Sequence, residues 1–209
     1  GDVEETIDEL VHPVAPKGDG GGDGHALADL EGGDRFLGPS NGRLLADDPP
    51  EHAGVVAVAT VQEEIGYSGG GARSSAFALD PDVALVVDVT FSTDVPDAKK
   101  KELGEHALGG GPVLTRGSST HPLVFDRLVE VAERENIPYS LQAAPRASRT
   151  DADGIFLVRS GVPTGLVSVP NRYMHSPNEM VTVDDLDRTA QLLAGFARRF
   201  TNDTDLTAR

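Results

Sequence analysis

The segment Val55–Tyr67, VVAVATVQEEIGY, constrains the fold more than any other. An apolar, β-branched run rises for six residues, ends at the adjacent carboxylates Glu63 and Glu64, and is followed by Gly66 and Ser68-Gly69-Gly70-Gly71. A short apolar run bounded by turn residues predicts a buried strand of a parallel sheet. Ligands and catalytic groups collect beyond the carboxyl ends of such strands. Burying unpaired carboxylates is costly, so two acids at that point call for a reason. The pair by itself leaves two readings open, a functional site and solvated acids at a strand end.

The rest of the chain predicts a layered α/β architecture. Ala72–Leu79 reads as a short helix, and Val83–Val89, VALVVDV, as a second apolar strand with Asp88 near its carboxyl end. An aspartate among valines must be paired, protonated or metal-bound. Thr90, Ser92, Thr93 and Asp94 follow as polar loop residues suited to supporting a site. Residues 95–120 read as loop-rich, with Gly109-Gly110-Gly111-Pro112 turning into Val113-Leu114. His121 and Pro122 open a helix over 122–136, with Val124, Leu128 and Val131 on one face. A strand is expected at 139–144, a helical return at Ile155–Val158, and a strand at Gly165–Val169. That strand leads into Pro170-Asn171-Arg172-Tyr173-Met174-His175-Ser176-Pro177, which fixes His175 between an aromatic residue and a Ser-Pro turn. Thr182 and Asp185 resemble a capping box. Val183, Leu186, Ala190, Leu193, Ala197 and Phe200 make the expected buried stripe of the last helix.

Upstream, residues 17–24, KGDGGGDG, form a polar glycine joint that cannot preorganise ligands, which weakens Asp23 and His25 as candidates. Residues 26–46 hold strand-like pieces between Gly-Gly and Asn-Gly turns, too short for a core of their own. Asp47-Asp48-Pro49-Pro50 breaks the chain before the central run. Asp48 is either a metal ligand or a solvated acid before the Pro-Pro brake.

Charge and residue usage narrow the chemistry. The formal charge of −16 argues against nucleic acid or an anionic membrane as partner. Acids spread along the chain, with little lysine, suit a salt-adapted cytoplasm, a halophilic setting. There is no cysteine, so any metal must be held by histidine and carboxylates. No segment is long and apolar enough to span a membrane, and no leader pattern opens the sequence, so a cytoplasmic location is expected. Glu63-Glu64, Asp88 and His175 are then hard or borderline ligands at three strand ends, a set suited to zinc, cobalt or manganese in a hydrolytic site. Neighbouring residues point in different directions, so one glutamate can bind metal while the other holds the attacking water. His106 and His121 are candidates by residue type alone.

TVQEEIG (60–66), VVDVTFSTD (86–94), RTDADGI (149–155), GVPTGLVSVPNRYMHSP (161–177) and the following EMVTVDDL occur in order over about residues 55–200. Together they resemble the M42 family of metallo-aminopeptidases, which includes the tetrahedral aminopeptidases and proteins labelled endoglucanase M. The resemblance implies a three-layer α/β/α zinc-peptidase fold of the phosphorylase/hydrolase-like kind. It implies two divalent metal ions per subunit, zinc or cobalt, with Glu63 as general base and Glu64, Asp88 and His175 as ligands. Thr150 and Asp151 match a supporting motif. It further implies peptide substrates and a homo-oligomer built from dimers, up to a dodecamer.

The chain also departs from the family pattern. It has no His-x-Asp motif, and Asp47-Asp48 is followed by Pro-Pro where the family's bridging aspartate is followed by arginine. The expected organisation is therefore an N-terminal piece of the catalytic domain with a glycine joint (1–25), a remnant of a mostly missing small β domain of dimerisation type (26–46), and the catalytic α/β domain (47–209). His12 and His25 are poor substitutes for the missing ligand. The leading expectation is a metal-dependent aminopeptidase. The alternative is a non-catalytic or degenerate M42-like subunit with an incomplete metal site. A third class, a related carboxypeptidase or deacylase, is disfavoured by the run from Gly-Val-Pro-Thr to His-Ser-Pro.

Overall fold

The computed structural model describes residues 44–45, 47–65, 70–201 and 203–206. The expectations for residues 1–43, including His12, Asp23, His25 and nearly all of the small β remnant, lie outside the described residues.

Among the described residues, nine elements follow Glu63 and Glu64 in chain order. They are α1 (Gly70–Leu79), β1 (Ala84–Phe91), α2 (Lys100–Leu103), β2 (Val113–Gly117), α3 (Pro122–Arg134), β3 (Ser140–Ala144), α4 (Ala152–Ile155), β4 (Thr164–Asn171) and α5 (Val183–Arg198). The sheet runs β1-β4-β2-β3. β1 lies parallel to β4 and β2 parallel to β3, while β2 meets β4 antiparallel through Val113↔Ser168 and Leu114↔Val167.

Period-two alternation along β4 builds three layers. Leu166 faces one side, with Ala72 and Ala76 of α1, Ala152 and Ile155 of α4, and Val86 of β1. Val167 faces the other, with Val124, Leu128 and Val131 of α3 and Leu192 and Phe196 of α5. All eight residues of β4 are buried. That matches the apolar residues Leu166, Val167 and Val169 that dominate its centre.

Three expectations are corrected. First, Val55–Thr60 forms no strand. Val56 is 65% exposed and Val58 45% exposed, and the acids that follow sit on a 3₁₀ turn, Glu63–Ile65. A strand exists only with a ladder partner, and this run has none among the described residues. Second, β2 occupies part of the stretch read as loop. Its five residues are entered through a glycine turn that masks the signal. Third, α5 is rotated from the expected stripe. Asp185, Thr189, Leu192 and Phe196 are buried at helical spacing, while Val183 is 70% exposed and Leu186 46%.

The rotation has a polar cause. Asp185 is 0% exposed and accepts the Gly109 and Gly111 N–H groups, each at 2.7 Å. Two charge-assisted bonds to backbone donors hold the carboxylate inside. Thr182 caps the helix as expected, its Oγ1 accepting the Asp185 N–H at 3.1 Å.

Candidate functional site

The acids and the histidine converge at the carboxyl ends of β1 and β4. Glu64 Oε1 lies 3.5 Å from His175 Nε2. Asp88, in the fifth position of β1, is half-buried, and its Oδ1 accepts the Val89 N–H at 2.7 Å. Asp151 immediately precedes α4, and its Oδ2 accepts the Thr60 hydroxyl at 2.6 Å. Thr150 Oγ1 pairs with Ser148 Oγ at 2.9 Å and accepts the Ala152 N–H at 3.2 Å, fixing the turn that presents Asp151.

Electrostatics tie these groups into one cluster. Burial raises the Glu63 carboxyl above its ordinary value, and the charges of Asp88, Glu64 and Asp151 raise it further, with His175 opposing. Burial likewise raises Asp88, assisted by Glu64 and Asp151 and opposed by the Val89 N–H and by His175. Four carboxylates repelling one another beside a single imidazole is the charge pattern that a bound cation relieves.

The donor set fits a divalent ion chemically, since carboxylates and imidazole are ligands for zinc and its neighbours. Among the described residues, no group of three His, Asp or Glu is yet arranged to hold one. Asp48 lies elsewhere. Its Oδ2 pairs with Arg198 Nε at 2.9 Å, at the last residue of α5. That is about 22 Å along the helix from the end near the His175 loop.

His106 is structural. It is 1% exposed, its Nε2 donates to the Leu103 carbonyl at 2.7 Å, and its Nδ1 meets Ser140 Oγ at 2.8 Å. Burial lowers its pKa, and both ring nitrogens are engaged, so no ligand position is left. His121 is the N-cap residue of α3, as its place before Pro122 implies.

Several residues that position His175 escaped the sequence reading. His175 and Tyr173 have φ of 64° and 63°. Non-glycine residues hold such angles only where surrounding structure enforces them. Here the Glu179 carboxylate accepts the His175 N–H, and Asn171 Nδ2 donates to Glu179 Oε2 at 3.0 Å. Arg172 and Met180 exchange backbone hydrogen bonds at 2.8 and 3.0 Å. Arg172 also grips Asp94 with Nε to Oδ1 at 3.1 Å and Nη2 to Oδ2 at 2.6 Å, joining the loop after β1 to the His175 loop. The available signal was the polar spacing of Asn171, Arg172 and Glu179 around the histidine.

The Asp94 carboxyl is held well below the usual range, chiefly by its bonds to Arg172, with Ser92 and the Leu108 N–H adding to the effect against burial. A depressed carboxylate contributes stability that is complete above its unfolded pKa and is lost as pH falls through the folded one. Asp94→Asn is therefore expected to lower the thermal midpoint near neutral pH and to flatten its fall below about pH 4. Melting curves across that range check it, and an unchanged acid limb would remove Asp94 from the loop's support.

A mixed α/β sheet with an acidic, cation-suited cluster at the carboxyl ends of β1 and β4 defines the class. The M42 glutamyl aminopeptidase family model matches residues 43–192, and the chain belongs to that family. It is similar to the lysyl aminopeptidase of Pyrococcus furiosus, 42% identical over 143 residues, covering 68% of this chain and 40% of that protein. Among solved structures it resembles an aminopeptidase from the archaeon Desulfurococcus kamchatkensis, 41% identical with a TM-score of 0.62 over 68% of this chain and 40% of that one. It also resembles the TET1 peptidase of Pyrococcus horikoshii, 25% identical with a TM-score of 0.52 over 68% of this chain and 40% of that one. The latter is described as able to assemble into a tetrahedron or a large octahedral shell. The chain thus spans about 40% of the length of these relatives.

Proposed function

We propose that the protein is a metal-dependent aminopeptidase acting on short peptides, with Glu63 as general base. The observation that carries the reading is the mutual repulsion of the carboxylates Glu63, Glu64, Asp88 and Asp151 beside the opposing imidazole of His175. Family membership supports the reaction class, and the resemblance of motifs supports the roles. Glu64, Asp88 and His175 would hold the metal, two ions per subunit in the dinuclear reading. A divalent ion held by these residues would supply Lewis-acid polarisation of the scissile carbonyl and would lower the pKa of the attacking water.

The chain's own residues do the rest. Glu63 takes the proton of the attacking water and returns it to the leaving amine as the C–N bond breaks. Asp151, which accepts the Thr60 hydroxyl on the turn that Thr150 fixes, would support the cluster. Glu179 and Asn171 fix His175 in its strained turn. The assemblies described for a solved relative support a homo-oligomer. The acidic composition supports a salt-adapted cytoplasm.

Incubation with zinc or cobalt is expected to raise the thermal midpoint, because it neutralises the cluster, and a chelator is expected to reverse it. The same metal-loaded protein is expected to release free N-terminal residues from short peptides. Metal-replete protein that releases none overturns the enzymatic reading. The second reading, a subunit with an incomplete site, is favoured by the lack of a closed ligand group among the described residues. Metal analysis separates the two, since one ion or none per chain supports the second.

A further inference from the structure

We propose that the open edge of β1 takes up one extended segment of another polypeptide, laid between β1 and the Val55–Thr60 run as an added strand. Among the described residues β1 is an edge strand, paired with β4 on one side alone. The ends of that ladder show which groups it uses. The Ala84 N–H donates to the Pro163 carbonyl at 3.0 Å, and the Ser92 N–H donates to the Asn171 carbonyl at 2.9 Å. Backbone direction alternates along a strand, so the even-numbered residues serve β4. Leu85, Val87, Val89 and Phe91 therefore turn their N–H and C=O groups to the free edge. Asp88 Oδ1 takes the Val89 N–H at 2.7 Å, which closes the edge at that point. Leu85 and Val87, both half-buried, are left as the length of edge open to a ladder.

The Val55–Thr60 run travels in the same direction as β1. Before it, Asp48 pairs with Arg198, the last residue of α5. That end of α5 lies by the amino end of β1, because Val83 and Leu85 pack in one cluster with Phe196 and Phe200. After it, Thr60 bonds Asp151, the Val61 carbonyl accepts the Gly71 N–H at 3.0 Å, and Glu63 comes within reach of the Asp88 charge. Both ends of the run are thus anchored, while its valines Val56 and Val58 stay exposed and its backbone enters no ladder among the described residues. Two extended backbones of one direction each lack a partner. A third extended backbone can serve both, whereas a helix keeps its donors and acceptors to itself.

The surroundings set the chemistry of the segment. Its side chains meet the valines of the run and of β1, so apolar, β-branched residues fit at alternate positions. Its end beside Asp88 meets the mutually repelling carboxylates Glu63, Glu64 and Asp151 as well, which favours a basic residue there and disfavours an acidic one. The formal charge of −16 acts in the same sense, and it opposes a second copy of this chain as the occupant.

The test adds the acetylated and amidated peptide KVTVTVK to the full, metal-free chain and follows hydrogen–deuterium exchange of the backbone amides. A blocked amine and a binding readout make the outcome independent of the peptidase reading. The peptide is expected to slow exchange at Leu85, Val87 and within Val55–Thr60 by at least about tenfold at saturation. A version N-methylated at its valines cannot complete a ladder and is expected to bind at least about tenfold more weakly, as is EVTVTVE at low salt. Val87→Pro removes an outward donor and spares the β4 ladder, so it is expected to weaken binding with little change in the thermal midpoint. The N-methylated peptide makes the same test without altering the protein. No slowing up to about 1 mM peptide overturns the proposal, as does equal binding of the N-methylated version. Protection of Leu85 and Val87 in the free chain overturns it too, because the edge is then filled by the chain itself or, where protection grows with protein concentration, by a second copy.

Discussion

Glu63→Gln is expected to cut peptide turnover by about 10²–10⁴-fold in the metal-loaded protein while leaving the fold intact. The substitution keeps the side chain's shape and removes only its capacity to accept a proton. Glu63 is only partly buried, lies on a short 3₁₀ turn, and is surrounded by carboxylates that repel its charge. Losing one of several like charges is expected to leave the thermal midpoint equal or slightly higher. The pairing of lost kcat with retained stability distinguishes a base from a structural acid. Turnover surviving at the parent rate would remove Glu63 from the mechanism, and loss of both turnover and folding would make its role structural.

Gly111→Ala is expected to have the largest effect on stability, more than about 4 kcal/mol, enough to unfold a marginal domain. Gly111 has φ of +87°, and a Cβ there would lie 1.8 Å from the Pro138 carbonyl oxygen. No side-chain motion relieves that overlap, because both partners are backbone. Its N–H also donates to buried Asp185 at 2.7 Å, so a displaced turn would strand a fully buried carboxylate. Gly109→Ala is the control. Its φ is +78°, but a Cβ there meets nothing within 4 Å, so only the backbone term of about 1–3 kcal/mol applies. Denaturant unfolding of both variants checks the difference, and equal losses would show that φ, not the Pro138 contact, sets the cost.

Much of the scaffold was legible because it rests on local patterns. The α3 stripe of Val124, Leu128 and Val131 is buried as its spacing predicts. β1 and β4 fall where apolar runs, interrupted only by Asp88 and Ser168, placed them, and the Thr182 cap opens α5. The nearness of Glu64 to His175 has a different origin. Asp88 and His175 follow β1 and β4 toward one end of the sheet, whereas Glu64 arrives on a turn outside it. What could not be read was anything decided by a partner distant in sequence. The turn of α5 that buries Asp185 depends on Gly109 and Gly111, more than 70 residues away. His106 was a candidate by residue type alone, and Ser140 and Leu103 hold both its nitrogens. Asp48 was open between a metal ligand and a solvated acid, and it pairs with Arg198.

The Glu-Glu segment shows the division most clearly. The sequence by itself determined that Val55–Thr60 prefers an extended backbone and that two acids follow it, because branching at Cβ and the order of residues are local properties. Whether that preference becomes a strand is decided by tertiary structure alone, because each backbone donor and acceptor in a ladder needs a neighbour to complete it. In this chain the run is left without one among the described residues. Glu63 and Glu64 are carried instead on a turn, braced through Thr60 to Asp151 and facing His175.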